Sequence, residues 1–580
     1  MNSRSGRVLV MGCDNRSFLS VIRSLGRGGL HVHVTGAPIN ASALQSRYVA
    51  AVHHLPVYSH GDKTWLYALI RLLEENDFDL VIPCNDQSAI PLQLLRSTLG
   101  RFEQRLCILD HECFAVANDK QKTWNLARQL LIPVPREMDI SDFEDLKSAA
   151  KVLRFPLVVK PRSSFTENLL DVKQAVKLVN SELELVKLRL SADRGSFQVV
   201  QEFFAGVGVG IEVLCKAGEV LVAFQHERVH EARSGGGSTY RKSVPLHPEM
   251  LDAAKRLMAA LHYTGVCMVE FRFDRTTGNW VLLELNGRFW GSLPLAIAAG
   301  VDFPLYLYDQ LRLARTNFPQ DYKLNLFCRN SVADLEWLVR NLRHHPFSTL
   351  AEVLLETRHA LLLRERNDTL VCDDAAPAYH ELRLLLTRVV LRGIAVLPGS
   401  RRWMRRKIKS KMGACRTVLL VCKGNICRSP FAAGLLTRIA GRGLRVVSCG
   451  FYPPGRESPV EAIEAARDWG VDMQSHRSAI ISESNLQTAD IVLVFDFDHV
   501  ATVRTMFPAW AGKTVLLGAA DNGPLEIPDP FGKSVNEFRE VYGRINTALR
   551  RIVRMLAIAP ETNNAINVEA GQTDESYSRA

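Results

Sequence analysis

The chain has 580 residues, 47% hydrophobic and 23% charged, a globular composition too long for one core and suited to about three or four domains. Its twelve cysteines stand singly apart from one close pair, which excludes a secreted disulfide framework and fits a reducing cytoplasm. The net charge of +11 accompanies no recognised nucleic-acid module and no aromatic-basic interleaving. Anionic substrates or an acidic membrane surface explain it better than nucleic acid.

The first residues lead into a short apolar strand, without the pattern of a signal peptide or a membrane span. Val8–Met11, His31–Thr35 and Asp79–Pro83 read as buried strands and Ser17–Arg27 as a helix. This alternation predicts a doubly wound parallel sheet up to about Asp110. The Gly12 region lacks a full dinucleotide glycine pattern, so bound NAD is not expected.

Chemistry-bearing residues follow. Asn118–Lys120 opens a helix, and Phe155–Pro161 (FPLVVKP) places Lys160 at a strand end. Next come Val199–Gly206 with Gln201, Glu202, Phe203 and Phe204, and a glycine-rich loop at Gly235–Ser238. Cys267–Phe271 carries Glu270, and Val281–Arg288 carries Glu284, Asn286 and Arg288. Neighbouring apolar strands let Glu270 and Glu284 face one cleft, and oxygen-only ligands suit Mg²⁺ bridging nucleotide phosphates.

In order and spacing, about residues 1–310 resemble the ATP-grasp ligases, in a branch like carbamoyl-phosphate synthase. The resemblance implies a first parallel sheet and two α+β ATP-binding subdomains, with lysines on different strands holding the ATP phosphates. Lys120 and Lys160 match those lysines. Gln201, Glu202, Phe203 and Phe204 match the segment that receives adenine. Glu270, Glu284 and Asn286 match the ligands of Mg²⁺, with Mn²⁺ as an alternative. Arg288 is placed to reach the transferring phosphate or a substrate carboxylate. Such enzymes typically phosphorylate a carboxylate to an acyl phosphate, which an amine or similar nucleophile displaces; neither substrate is named by the sequence. The glycine-rich loop is a candidate lid. His226, Arg228 and His230 are candidates for a phosphate contact or plain strand-face residues, and Trp290 for a pocket wall or core.

Residues 313–415 read as a helical, arginine-rich connector. Within it, His380–Leu397 alternates apolar runs with Arg383, Arg388 and Arg392, and a basic run from Arg401 to Lys411 follows. A connector packed on the ligase half with its arginines in water is the preferred reading. The alternative is peripheral contact of 380–411 with an anionic leaflet.

Thr417–Val421 then reads as a strand, Cys422–Pro430 (CKGNICRSP) as a loop and Phe431–Thr437 as a helix. Loop and helix N–H groups converge on an oxyanion, the same field favours a thiolate at Cys422, and Arg428 can grip two phosphate oxygens. Zinc binding by Cys422 and Cys427 lacks a second ligand pair nearby. From about Arg416 to Leu556 the chain resembles the low-molecular-weight protein tyrosine phosphatases. That likeness makes Cys422 the nucleophile, Arg428 the phosphate holder, and Asn425 and Ser429 the braces. Asp529, in Ile527–Phe531 (IPDPF), becomes the general acid and base, with Phe531 where the family usually has Tyr. Ser448–Gly450 and His476–Ser478 match supporting positions. Arsenate reduction on this fold would need downstream cysteines, and only Cys449 follows Cys427; Cys427 is expected to form a reversible protective disulfide with Cys422.

The expected architecture is therefore α/β: a pre-ATP-grasp sheet (1–112), an ATP-grasp domain (113–312), the connector (313–415), a four-stranded parallel-sheet phosphatase domain (416–558) and a disordered tail (559–580). The expected enzyme is bifunctional and cytoplasmic. Its phosphatase acts on tyrosine-phosphorylated protein or on a phosphorylated metabolite of the ligase's pathway. Reduction of the ligase half to a nucleotide sensor is the remaining alternative.

Overall fold

The computed structural model describes residues 6–13, 15–139, 148–149, 151–165, 170, 176–191, 199–231, 237–413, 415–440 and 443–557. The tail 559–580 and positions 235–236 of the glycine-rich loop lie outside them. Strands β1 (Arg7–Met11), β2 (His31–Thr35), β3 (Val49–His53) and β4 (Leu80–Pro83) form a parallel sheet in the order β3-β2-β1-β4. Both faces of β1 and β4 are covered, which is why these strands read as continuous apolar runs. Asn15 and Asn85 sit just beyond β1 and β4 and cap the helices Arg16–Arg27 and Asp86–Leu94 through their side chains.

The next sheet is small and antiparallel. It holds β5 (Glu137–Asp139), β6 (Leu157–Lys160), β7 (Lys177–Val179) and β8 (Val199–Glu202), in the order β5-β8-β6-β7. A seven-stranded sheet follows, built on β9 (Val207–Lys216), β10 (Glu219–Glu231), β11 (Ser238–Ser243), β12 (Gly265–Phe273) and β13 (Trp280–Asn286). Its order is β13-β12-β9-β10-β11-β14-β15, with β14 at Phe327–Arg329 and β15 at Glu365–Asn367.

Those last two strands fall inside the segment expected to be a helical connector. They are three residues each, too short for an alternating pattern to show in sequence. Helices make up most of the remainder of that segment, but its charges do not simply face water. The helix Ala376–Val396 buries Leu384 and Leu391 in the core of the C-terminal half, and its Glu381 pairs with Arg16 at 2.6 Å. The helix Ser400–Met412 buries Met404, Ile408 and Met412. Its Arg401 and Arg405 donate to main-chain carbonyls of Gly518, Ala519, Asp521 and Gly523. The basic run thus satisfies orphan carbonyls of a neighbouring turn. Among the described residues no helix is long and apolar enough to cross a membrane.

The C-terminal half carries a second parallel sheet, β17-β16-β18-β19, from β16 (Thr417–Cys422), β17 (Arg445–Gly450), β18 (Ile491–Val494) and β19 (Thr514–Leu516). Helices Arg428–Ala440 and Val535–Ala557 cover one another beside it, where Tyr542 stacks on Phe431 at 3.7 Å. The two halves also meet through main chain: Ile39 N donates to Phe451 O at 3.1 Å and Val57 N to Pro454 O at 3.3 Å.

Candidate active sites

β16 delivers Cys422 to the carboxyl end of its sheet, and the Arg428–Ala440 helix starts six residues later in the same turn of chain. Asn425 holds that turn. It adopts a left-handed backbone, φ +53°, which Asn tolerates better than most residues. Its N–H donates to Cys422 Sγ at 3.2 Å, and its side chain donates to Ser429 Oγ and Ser448 Oγ at 2.9 and 3.0 Å. Ala479 N donates to its Oδ1, and its carbonyl meets His476 Nε2 at 2.7 Å. Ser429 Oγ lies 3.0 Å from Cys422 Sγ. The expected Ser448 and His476 motifs therefore work as braces of one residue.

Arg428 is buried, yet it spans the site. It donates to Asp496 at 3.0 Å, to the Ile527 carbonyl at 3.0 Å and to Asp529 at 2.9 Å. Its Nε has no hydrogen-bond partner among the described residues. A buried donor with no acceptor, beside a thiol and a helix N-terminus, fits a bound oxyanion. Burial, and then Asp529, push the Cys427 thiol well up, so it stays protonated while Cys422 faces the cradle. Burial and Arg428 hold His499 neutral, well below its ordinary value. Sequence reading missed Asp496. It lies at the carboxyl end of β18, the strand next to β16, and caps the Phe497–Met506 helix; only the parallel strand order reveals that it reaches Arg428.

In the N-terminal half, Lys160 ends β6, but Lys120 is not on a strand. It opens the helix Lys120–Gln129, capped by Asp119, because Asn-Asp before it is a helix-start signal. Lys120 Nζ nonetheless reaches Glu284 at 3.8 Å. Lys160 Nζ lies 4.4 Å from the Trp124 ring centre and forms no ion pair among the described residues. Burial, and then Lys120, lower its pKa to about 7. A buried lysine with no ion pair among the described residues, close to Glu284 and Glu270, fits a polyanionic ligand that would restore its charge.

Glu270 and Glu284 are direct cross-strand partners on β12 and β13, and Asn286 Nδ2 donates to Glu284 at 3.3 Å, leaving its carbonyl oxygen as a further donor atom. This oxygen-only set fits a hard divalent cation. Arg228 occupies Glu270 at 2.7 Å, so it is tied to the carboxylates. Gln201 is buried on β8, with Oε1 unpartnered among the described residues. Glu202 is turned away from such a role: its carboxylate accepts from Arg154 N at 2.9 Å and faces Arg136. Phe203 is exposed and Phe204 partly so, just past the strand.

Arg288 forms a two-pronged pair with Asp86 at 3.0 and 3.1 Å, a partner sequence reading did not single out. Asp86 sits just after β4, so the first sheet positions the arginine. The same two residues line a cavity of about 200 Å³ together with Lys120, Glu284 and Asn286. His230 is absorbed in a buried network with Asp334 at 2.8 Å and Glu356 at 2.7 Å. His226 is held by Glu212 at 2.5 Å, and Trp290 is core.

A thiol at a strand end, a buried arginine and a half-exposed carboxylate thus meet at the carboxyl edge of a four-stranded parallel sheet. The family model for low molecular weight phosphotyrosine protein phosphatase matches residues 417–561. The chain is similar to the low molecular weight protein-tyrosine-phosphatase Etp of Escherichia coli K12, 32% identical over 142 residues, 24% of this chain and 95% of that protein. It is also similar to Wzb of the same strain, 36% identical over 143 residues, 24% of this chain and 93% of that protein. Through this C-terminal quarter the chain belongs to the low molecular weight protein-tyrosine-phosphatase family.

A second family model, ATP-grasp in the biosynthetic pathway with Ter operon, matches residues 196–326, the stretch from just before β8 to just before β14. The N-terminal half thus carries an ATP-grasp domain. The solved N5-carboxyaminoimidazole synthetase of Staphylococcus aureus overlaps 59% of this chain and 86% of its own, at 16% identity and a TM-score of 0.45.

Proposed function

We propose that the chain carries two catalytic centres: a phosphotyrosine phosphatase around Cys422, and an Mg-ATP-dependent carboxylate–amine ligase between the N-terminal sheets. The single observation that supports the first is Arg428, which ties Asp529 to the Cys422 loop. The Cys422 thiolate attacks phosphorus in line while the bond to the leaving oxygen breaks. Asp529 gives that oxygen a proton, and the phosphoryl group remains on sulfur. Asp529 then takes a proton from water as the water oxygen bonds to phosphorus and the sulfur–phosphorus bond breaks, which frees phosphate and the Cys422 thiolate. Arg428 and the loop N–H groups hold the equatorial oxygens throughout, with Asn425 and Ser429 fixing the loop. Rapid quenching of the full-length protein with an aryl phosphate tests this: phosphate is expected on Cys422 alone, and phosphate on another residue or on none rejects it.

In the ligase, Lys120 and Lys160 hold ATP phosphates, while the main chain at Gln201–Phe204 borders the adenine. Glu270, Glu284 and Asn286 hold Mg²⁺, which when bound supplies charge neutralisation on the phosphates. Arg288, aimed by Asp86, steadies the substrate carboxylate as it takes the γ-phosphoryl group, and the amine then displaces phosphate from the acyl phosphate. ADP release that requires both a carboxylate and an amine is the test.

Two further readings have specific support. A cavity of about 130 Å³ lies between Asn85 and Ser88, at the start of the helix Asp86–Leu94, and Tyr452 and Arg456 of the phosphatase domain. Arg456 packs within 5.9 Å of the Phe531 ring centre. This shared wall favours a small phosphorylated metabolite as a second phosphatase substrate, and comparing kcat/KM for phosphopeptides and for phosphorylated ligase products decides it. On the Ala376–Val396 helix, Leu382, Leu386, Val389 and Val390 are exposed along one face, flanked by exposed Arg383 and Arg392. That face suits an anionic bilayer surface.

A further inference from the structure

A separate cavity of about 360 Å³ is walled by Arg16, Arg228, Arg241, His226, Asp368 and Glu381. It is built, not incidental. β9 offers Gly208 and Gly210 under it: a Cβ at 208 would stand 2.5 Å from Arg228 Cδ, and one at 210 would stand 2.4 Å from His226 Cε1. The missing side chains make room for Arg228, which crosses β9 to Glu270 on β12, and for His226, which rests on Glu212 of β9 itself. Because Arg228 both lines the cavity and pairs with Glu270, the cavity adjoins the carboxylates proposed to hold the metal.

Its charges are mixed in sign. Arg16 is held by Glu381 at 2.6 Å and by Asn330 at 2.7 Å. Arg241 is paired to Asp368 through one amino group, and both residues are buried. Arg241 Nε and Asp368 Oδ2 have no hydrogen-bond partner among the described residues, and Arg16 Nε lies 3.9 Å from Asp368 Oδ2. Among the described residues, one wall thus offers a cationic donor and an anionic acceptor, each atom without a hydrogen-bond partner. A purely anionic ligand would satisfy the first and be repelled by the second, and an amine the reverse. A ligand carrying both a carboxylate and an ammonium satisfies both.

We propose that this cavity binds a free amino acid as a zwitterion, its carboxylate on Arg241 and Arg16 and its ammonium on Asp368 and Glu381. The proposal rests on the ligase reading for its purpose and names the class of one substrate. Glu381 comes from the Ala376–Val396 helix, so the segment joining the two halves completes the pocket.

The test uses full-length protein and calorimetric titration with each of the twenty protein amino acids, without nucleotide. At least one is expected to bind, with affinity falling about tenfold or more when its amino group is acetylated or its carboxylate amidated. Glu381→Gln, on a surface helix, and Arg241→Lys are expected to weaken it similarly; the first guards against misfolding of the second. Binding by none of the twenty, or equal tolerance of both blocking groups, overturns the proposal. ADP release under Mg-ATP is recorded in parallel. Amino-acid binding without ADP release leaves the cavity standing and rejects the ligase; ADP release with a non-amino-acid pair and no amino-acid binding does the opposite.

Discussion

Gly450→Ala isolates the fit between β17 and the phosphate loop. Gly450 pairs with Cys422 in the parallel register of β16 and β17. A Cβ there would lie 2.8 Å from Asn425 N, 2.9 Å from Gly424 C and 3.0 Å from Lys423 O. All three are main-chain atoms of the loop, so no side chain can swing away. Relief to ordinary contact requires the loop to retreat by roughly 0.6 Å, overpacking that costs about 1–3 kcal/mol. The same retreat pulls Asn425 N from Cys422 Sγ, now 3.2 Å apart. Misplacement on the order of 1 Å can cost about 100-fold in rate, so kcat/KM on an aryl phosphate is expected to fall roughly 10- to 100-fold. Gly512→Ala, where a Cβ meets nothing within 4 Å, is the control and should be silent. Initial rates on full-length protein read the effect. A Gly450→Ala enzyme with the wild-type kcat/KM would refute the reasoning that this contact sets the loop.

Asp529→Asn keeps the shape but removes the proton, and is expected to lower kcat about 10²- to 10³-fold with little change in KM; an unchanged kcat for a poor leaving group would count against the acid role. Lys160, its pKa lowered to about 7 by burial and by Lys120, is mostly neutral at pH 7.5 in the free protein and should be charged under phosphate. ATP binding is then expected to take up roughly 0.7 proton at that pH, read by calorimetry in buffers of different ionisation enthalpy; no uptake would contradict it. By the same sign, Lys160 makes the free protein gain stability as pH rises from about 7 toward 10.5, since the unfolded chain binds the extra proton there. Full-length protein should float with vesicles containing about a third anionic lipid and not with neutral ones, and Leu386→Glu with Val390→Glu should abolish flotation; self-association without flotation would assign that face to a second copy.

The site elements were legible where chemistry forces residue type and spacing together. Cys422, Asn425, Arg428 and Ser429 share one short loop, and Asp529 lies between two prolines that mark it. Glu270 and Glu284 were readable as strand residues, and the register makes them direct partners. What stayed hidden depends on order in space. Asp496 reaches Arg428 only because β18 lies beside β16, and Asp86 reaches Arg288 only because two sheets meet. β14 and β15 are too short to carry a pattern, so the segment around them read as helix. Arg401 and Arg405 looked like solvated charge because their acceptors are carbonyls more than a hundred residues away. Glycines 208 and 210 are visible in the sequence, but only the antiparallel register of β9 and β10 sets them beside Arg228 and His226 respectively.

The most direct measurement records two rates on the same full-length preparation: aryl-phosphate hydrolysis, and Mg-ATP-dependent ADP release with a pool of carboxylates and amines. Wild type, Cys422→Ser and Glu284→Ala are compared. Cys422→Ser is expected to lose only the first rate and Glu284→Ala only the second. Survival of either rate in its own variant would contradict two separate catalytic centres built on these residues.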